Sequence, residues 1–201
     1  MPSAASDAEL VAAIARGERE ATLQLYRLVV PVIDRTLLRV LGGRDREHDD
    51  LVQLSLEHLL RSVLNRKFRL ECSLHHWAAV LSSHLAIAEL RRRTRAPQVL
   101  AEPLELERHG TEHVRAWEGA ARTQETRDLV RRALSSLRPE RAQVLYLFEV
   151  EGLQLGEIAK LMRVSVASVQ SRLVRGRKQF AESFRSLSSA LFVSRERQDH
   201  E

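Results

Sequence analysis

The chain has 201 residues, 44% hydrophobic and 4% aromatic, which is enough for one ordinary domain or two small ones and too little for a large enzyme core. Lysine and arginine total 32 against 27 acids, a formal net charge of +5, but the positive charge gathers in two islands that suit phosphate better than an acidic small molecule. The single cysteine, Cys72, excludes an internal disulfide and any multi-cysteine zinc module, as expected in a reducing compartment.

No apolar run approaches the roughly 20 residues that span a bilayer, and the start MPSAASDAEL lacks the basic and apolar stretches of a signal peptide. The expectation is a cytoplasmic protein without membrane insertion. Glycine and proline are sparse and the apolar residues are mostly Leu, Val and Ala, which favours helix over sheet. The fold class expected is all-α, in two small helical domains.

In chain order, Ser6 or Asp7 is placed to cap a short first helix carrying Leu10, Val11 and Ile14 and ended by Gly17. A longer helix from about Glu18 to Leu41 repeats Leu23, Tyr26, Val30, Ile33 and Leu37 at three- and four-residue intervals, with Pro31 expected to kink it and Gly42-Gly43 to stop it. A third, about Glu47 to Asn65, presents Leu51, Leu54, Leu59 and Val63. A fourth, about Ser73 to Thr94, presents Trp77, Val80, Leu81, Ile87 and Leu90 and ends in the first basic island, Arg91, Arg92, Arg93 and Arg95. The short basic segment between the last two places Arg66, Lys67 and Arg69 on an exposed loop.

Pro97 and Pro103 then break the helical pattern. The stretch from Glu102 to Asp128 carries seven acids and four arginines, a composition that a polyanion repels, so it reads as an acidic connector. Periodicity returns near Thr126, giving expected domains at 1–96 and 126–185, a linker at 97–125 and a frayed tail at 186–201. Helices are expected at Thr126–Leu137, Pro139–Val150, Leu153–Met162 and Ser165–Phe184. The pattern His109-x-x-Glu112-His113 matches a zinc-peptidase spacing, but it contains Gly110, sits in the acidic connector and has no evident third ligand, so no metal and no cofactor are expected. No phosphate loop, nucleophile elbow or catalytic dyad appears, which argues against an enzyme.

The most informative segment is LRPERAQVLYLFEVEGLQLGEIAKLMRVSVASVQSRLVRGRKQF, from Leu137 to Phe180. Leu155, Ile158, Ala159 and Met162 form the apolar face of one helix, Arg163 and Val164 a tight connection, and Ser165 the cap of a second helix. On that second helix Val166, Val169 and Leu173 share one side. Successive turns of about 100° per residue put Ser168, Ser171, Arg175 and Lys178 on the other, with Arg172 at the flank and Arg177 partly inward. Small hydroxyls that permit close groove approach, beside cations that hold phosphates, are what a recognition helix needs. The island from Ile158 to Ala181 contains no acid, which distinguishes it from an ordinary solvated charged face.

This segment resembles the promoter-binding fourth region of the extracytoplasmic-function (ECF) group of bacterial sigma factors. Leu137 to Pro139, Glu151-Gly152, Glu157-Ile158-Ala159 and Ser168-Val169-Gln170-Ser171-Arg172-Leu173 carry the likeness. Arg138 stands between the usual leucine and proline, and Gln170 replaces the group's usual lysine. The first domain is similar to the group's second region, through Ala15-Arg16-Gly17-Glu18, Leu25-Tyr26 and, most specifically, Asp50-Leu51-Val52-Gln53.

The resemblance implies a sigma factor that binds RNA polymerase core, through the β′ coiled coil and the β flap, and directs initiation at promoter DNA, with an anti-sigma factor as a further partner. It implies core contacts from Asp50 and Gln53, with Leu51 or Val52 packing the domain. It implies upstream-element contacts from Ser165, Ser168, Gln170, Ser171, Arg172, Arg175 and Lys178. Strand capture during melting would fall to Arg66, Lys67, Arg69, His84, Arg91, Arg92 and Arg93. Here Ser83-His84 and Ala88 depart from the group's arginine-asparagine and aspartate, and Leu74 to Trp77 from its F-x-x-W. Two alternatives use the same residues: a helix-turn-helix regulator that never replaces a sigma subunit, and a divergent sigma-like interaction protein that binds polymerase without melting DNA.

Overall fold

The computed structural model describes residues 4–95 and 114–198. These form eight helices: α1 Ala4–Ala15, α2 Arg19–Leu41, α3 His48–Leu64, α4 Leu74–Arg95, α5 Val114–Ser136, α6 Pro139–Glu149, α7 Leu155–Met162 and α8 Val166–Gln198. No strand occurs among the described residues, and no helix in them is long and apolar enough to cross a membrane. The His109–His113 pattern and most of the expected linker lie outside the described residues.

In the first domain α2 and α4 lie side by side and α3 packs on both. Of the expected α2 stripe Ile33 and Leu37 are fully buried, but Leu23 and Tyr26 are 40% and 50% exposed, and Leu25 and Val29 complete the buried face instead, recurring every four residues. Pro31 falls on the exposed face, so α2 runs through it without opening the core. Gly42, at φ +92°, ends the helix by donating its amide to Leu38 O at 2.8 Å. In α3, Leu59 and Val63 are buried as the periodicity requires, but Leu54 is 38% exposed and Ser55 takes an inward position, donating to Leu51 O at 2.8 Å.

The expected cap of α1 is corrected: the helix already runs from Ala4, and Asp7 is buried within it. Asp7 Oδ2 instead accepts the Leu74 amide at 2.9 Å, the first amide of α4, while Ser73 Oγ accepts the His76 amide at 3.2 Å. Two of the amides that a helix start leaves without internal partners are thus satisfied, one from 67 positions upstream.

The second domain packs α5, α6 and α7 around the front half of α8. Leu134, Leu137, Val144, Leu147, Ile158, Val169 and Leu173 form its centre. Two expected boundaries move outward. Helix α5 starts at Val114 rather than near Thr126, and α8 continues to Gln198 through the stretch expected to fray. The two helices support one another: Ser136 and Ser183 hydroxyls pair at 2.8 Å, and Gln179 Nε2 donates to Ser136 O at 3.1 Å. Packing against a partner helix sustains helical turns whose own apolar pattern is weak. Helix α4 also rests on α5 and α6, and the buried apolar residues of both domains join in one contiguous cluster.

Replacing Asp7 with Ala strands a buried amide at the start of α4 and is expected to cost about 1–3 kcal/mol of stability. Asp7→Asn, which keeps an acceptor, should cost distinctly less. Urea unfolding of the two variants measures the difference, and equal losses would remove the cap from the account.

Candidate nucleic-acid and polymerase interfaces

The helix-turn-helix is built as its local sequence dictates. Gln154 and Glu157 form a reciprocal capping box at the start of α7, with the Gln154 amide donating to Glu157 Oε2 at 2.8 Å. Arg163 then takes the left-handed conformation, φ 54° and ψ 47°, and the Val164 amide returns to Ala159 O at 3.0 Å. That backbone state normally costs a non-glycine residue about 1–2 kcal/mol, which the tight turn absorbs. Ser165 caps α8, its hydroxyl accepting the Ser168 amide at 3.2 Å.

Val169 and Leu173 are buried, whereas Val166, expected in the same inner stripe, is 48% exposed. The stripe is completed instead by Gly176, where an added Cβ would stand 3.3 Å from Arg141 O. A position with no side chain carries no apolar signal, so periodicity alone passes over it. On the opposite side Ser165, Gln170, Arg175 and Lys178 are exposed, and Ser168, Ser171 and Arg172 half-buried. Arg172, Arg175 and Lys178 form no ion pair with any described residue. Arg177 differs: it binds Glu149 at 2.6 Å and covers the Phe148 ring at 5.2 Å. Its role is to tie α8 to α6.

The loop between α3 and α4 exposes Arg66, Lys67 and Arg69, as the sequence suggests. Its shape depends on Phe68 and Ser62, which the sequence pattern does not single out, and on Trp77, which it does. Phe68 is buried with its ring 5.9 Å from that of Trp77, and Trp77 Nε1 donates to Ser62 Oγ at 2.8 Å. Ser62 O accepts the amides of Lys67 and Phe68 at 2.8 and 3.1 Å. Arg66 and Leu70 adopt positive φ, 52° and 60°. One buried ring and one serine thus hold three cations outward on a strained, preset turn.

On α3, Asp50 and Gln53 are exposed, while Leu51 and Val52 are half-buried against the core. The tetrapeptide therefore presents its polar pair outward and its apolar pair inward. Just before it, buried His48 meets Asp34 Oδ1 through Nε2 at 2.8 Å, and Arg44 reaches the same oxygen at 2.7 Å.

The arginines ending α4 have different surroundings. Arg92 and Arg93 both bind Glu89; Arg92 also binds Glu47 at 2.8 Å, and Arg93 binds Asp45. These guanidinium groups hold the Glu89 carboxyl well below the ordinary range, at about 2. Arg91 turns toward the second domain and donates to the carbonyls of Ser135 and Leu137. His84 is exposed, whereas Ser83 is fully buried with its hydroxyl donating to Val80 O at 3.0 Å. Among the described residues no group of three His, Cys, Asp or Glu side chains is placed to share a metal ion.

An all-helical pair of domains, one ending in a helix-turn-helix with an uncommitted basic face, is the build of a DNA-binding transcription factor. Residues 127–180 match the family described as Sigma-70, region 4. Over 190 residues the chain is 26% identical to the ECF RNA polymerase sigma factor SigM of Mycobacterium tuberculosis, covering 94% of this chain and 90% of the relative. Over 177 residues it is 29% identical to the ECF RNA polymerase sigma factor SigE of Mycolicibacterium smegmatis, covering 87% of this chain and 67% of the relative. The fold is similar to that of CnrH, solved in complex with the cytosolic domain of CnrY, with a TM-score of 0.54 and 20% identity over 90% of this chain and 97% of that one. Over most of its length the chain is thus similar to ECF RNA polymerase sigma factors, and within it the helix-turn-helix segment falls in the part that matches the Sigma-70, region 4 family.

Replacing Arg175 or Lys178 with Ala should weaken binding to duplex carrying the upstream element and lower the slope of log affinity against log salt by about one for each phosphate no longer neutralised. Arg177→Ala should leave that slope unchanged. Binding titrations over a salt series distinguish the two kinds of arginine. Because Glu89 is held near 2 in the fold and near 4.5 when unpaired, its stabilising contribution is complete above about pH 4.5 and fades as the pH falls toward 2. Glu89→Gln should flatten that acid limb in unfolding curves recorded across the interval.

Proposed function

We propose that this chain docks on polymerase core through the outward pair Asp50 and Gln53 of α3, with the helix-turn-helix of α7 and α8 reading the upstream promoter element. Ser165, Ser168, Gln170, Ser171 and Arg172 line the groove side and Arg175 and Lys178 hold phosphates. The loop residues Arg66, Lys67 and Arg69, together with His84 and the α4 arginines Arg91, Arg92 and Arg93, face the melted strand. The observation that carries this reading is the contrast on α8, where Arg172, Arg175 and Lys178 have no acidic partner among the described residues while Arg177 does.

The docking surface extends to the β′ coiled coil and β flap, the site of action is the cytoplasm, and no catalytic step falls to this chain. An anti-sigma factor is a further partner on this reading, as the sequence resemblance to ECF sigma factors implies. The domain limits follow the same reading: core docking and melting in 1–96, a connector at 97–125, upstream recognition in 126–185 and a terminal stretch at 186–201. A second reading draws on the ion pairs of Arg92 and Arg93 and on buried Ser83: a relative that binds polymerase without opening DNA.

Purified protein added to sigma-free core on a genomic fragment library tests both. Defined start sites that fall at least tenfold in the Asp50→Ala, Gln53→Ala double variant support the first reading. Core binding without initiation favours the second. Sequence-specific DNA binding with no core association would replace both with an operator-binding regulator.

A further inference from the structure

Away from the recognition helix, the end of α4 runs beside α5 and α8 and leaves a second basic hollow on the surface. It measures about 670 Å³, and its lining includes Arg91 and Arg95 of α4, Arg132 of α5, and Glu182 and Ser186 of α8. Three guanidinium groups thus share one hollow with one carboxylate. Arg95 and Arg132 are exposed and form no ion pair with any described residue. Arg91 donates through Nη1 to the carbonyls of Ser135 and Leu137. That fixes its fork and leaves the three donors of Nε and Nη2 for other acceptors.

Like charges gathered in a concave surface repel one another and raise the local potential for an anion. A structural cluster cancels that repulsion with acids, as Glu89, Asp45 and Glu47 do for Arg92 and Arg93. In this hollow the described residues supply only Glu182. A planar guanidinium fork matches phosphate oxygens two at a time, so phosphate is the anion it suits best. Size argues for more than one phosphate. Across Arg91 and Arg95 a second hollow of about 560 Å³ adjoins the first, walled by Ala88 and Pro139, and each volume lies within the roughly 300–1,000 Å³ of small-molecule sites. Phosphates on the Arg132 side and a flat ring on the Ala88 and Pro139 side, stacked on a guanidinium plane, make up a nucleotide. Glu182 offers its sugar hydroxyls an acceptor and repels a phosphate chain that runs on past the site, as a nucleic-acid strand does.

We propose that the hollow among α4, α5 and α8 binds a nucleoside polyphosphate, with its phosphates on Arg91, Arg95 and Arg132 and its base against Ala88 and Pro139. Bound ligand and a melted strand then compete for Arg91, so that nucleotide lowers initiation; this consequence alone rests on the function proposed above. Arg132 and Ser186 lie outside every surface assigned there to polymerase or DNA. Arg132→Ala removes one phosphate contact, and Ser186→Glu brings a second carboxylate into the hollow from α8. Both positions are exposed, so neither change disturbs the core.

The test is calorimetric titration of the free full-length protein with GDP and ADP at about 0.15 M salt, where exposed charges are largely screened, with pyrophosphate and a short oligothymidylate as the other probes. Four results together would bear out the site: one nucleotide bound per chain with micromolar affinity, at least tenfold weakening in Arg132→Ala and in Ser186→Glu, no change in Lys160→Ala at an exposed cation of α7, and pyrophosphate at least tenfold weaker than the nucleotides. Affinity weaker than millimolar, an equal loss in Lys160→Ala, or pyrophosphate bound as tightly as the nucleotides would overturn it. Oligothymidylate binding that depends on Arg132 as strongly as nucleotide binding does would assign the hollow to a nucleic-acid strand and overturn it too. The titration needs no polymerase: nucleotide binding of this kind in a chain that never directs initiation would keep the site and discard the function proposed above.

Discussion

Burial of α4 on two sides is the constraint on which the rest of the structure depends. A helix ordinarily turns one apolar stripe inward and leaves its other faces to water. Helix α4 buries Leu74, Ala78, Ile87 and Leu90 with the first domain, and offers Val80 and Ser83 to Gln143 of the second. Small residues make this possible. Ala78, Ala79, Ser82, Ser83 and Ala86 are buried along it, and both serine hydroxyls return their protons to carbonyls of the preceding turn. A backbone so crowded needs its first amides satisfied from outside, which is what Asp7 and Ser73 do.

This double burial also explains which features are legible in the sequence. The helix-turn-helix is readable because its signals are local: a serine cap, and apolar positions every three or four residues. The outward Asp50 and Gln53 and the exposed basic loop are readable for the same reason. Asp7 is not, because its partner amide is 67 positions away and local logic assigns a first-turn acid to its own helix. Gln143 is equally opaque, since a glutamine inside an apolar helix has no pattern that names its acceptor. In α4 the small residues blur the stripe from which a packed face is normally recognised.

The corrections share one physical origin. Spacing assigns Leu54 and Val166 to buried stripes, yet each sits where the neighbouring helix does not reach, and Ser55 and Gly176 take the close approaches instead. The ends of α5 and α8 come out too short when each pattern is read alone; the bonds among Ser136, Gln179 and Ser183 join the two helices within the expected bounds and do not account for the added turns. Periodicity reports which face of a helix prefers burial. It does not report where the covering element begins and ends.

The two basic islands look alike in the sequence and differ in what their charge is free to do. On α8 the outward cations have no protein counter-charge among the described residues, so a phosphate meets them at the cost of displacing water and salt alone. On α4 a phosphate has to take Arg92 or Arg93 from Glu89, Asp45 and Glu47. Exchanging one anionic partner for another gains little net energy, so these arginines favour DNA only where it brings other contacts. Asp45 and Glu47 lie directly before α3, the helix that carries Asp50 and Gln53. Any anion that draws the α4 arginines away therefore loosens the entry to α3, and a partner that fixes that entry acts in turn on the arginines, because both draw on the same carboxylates.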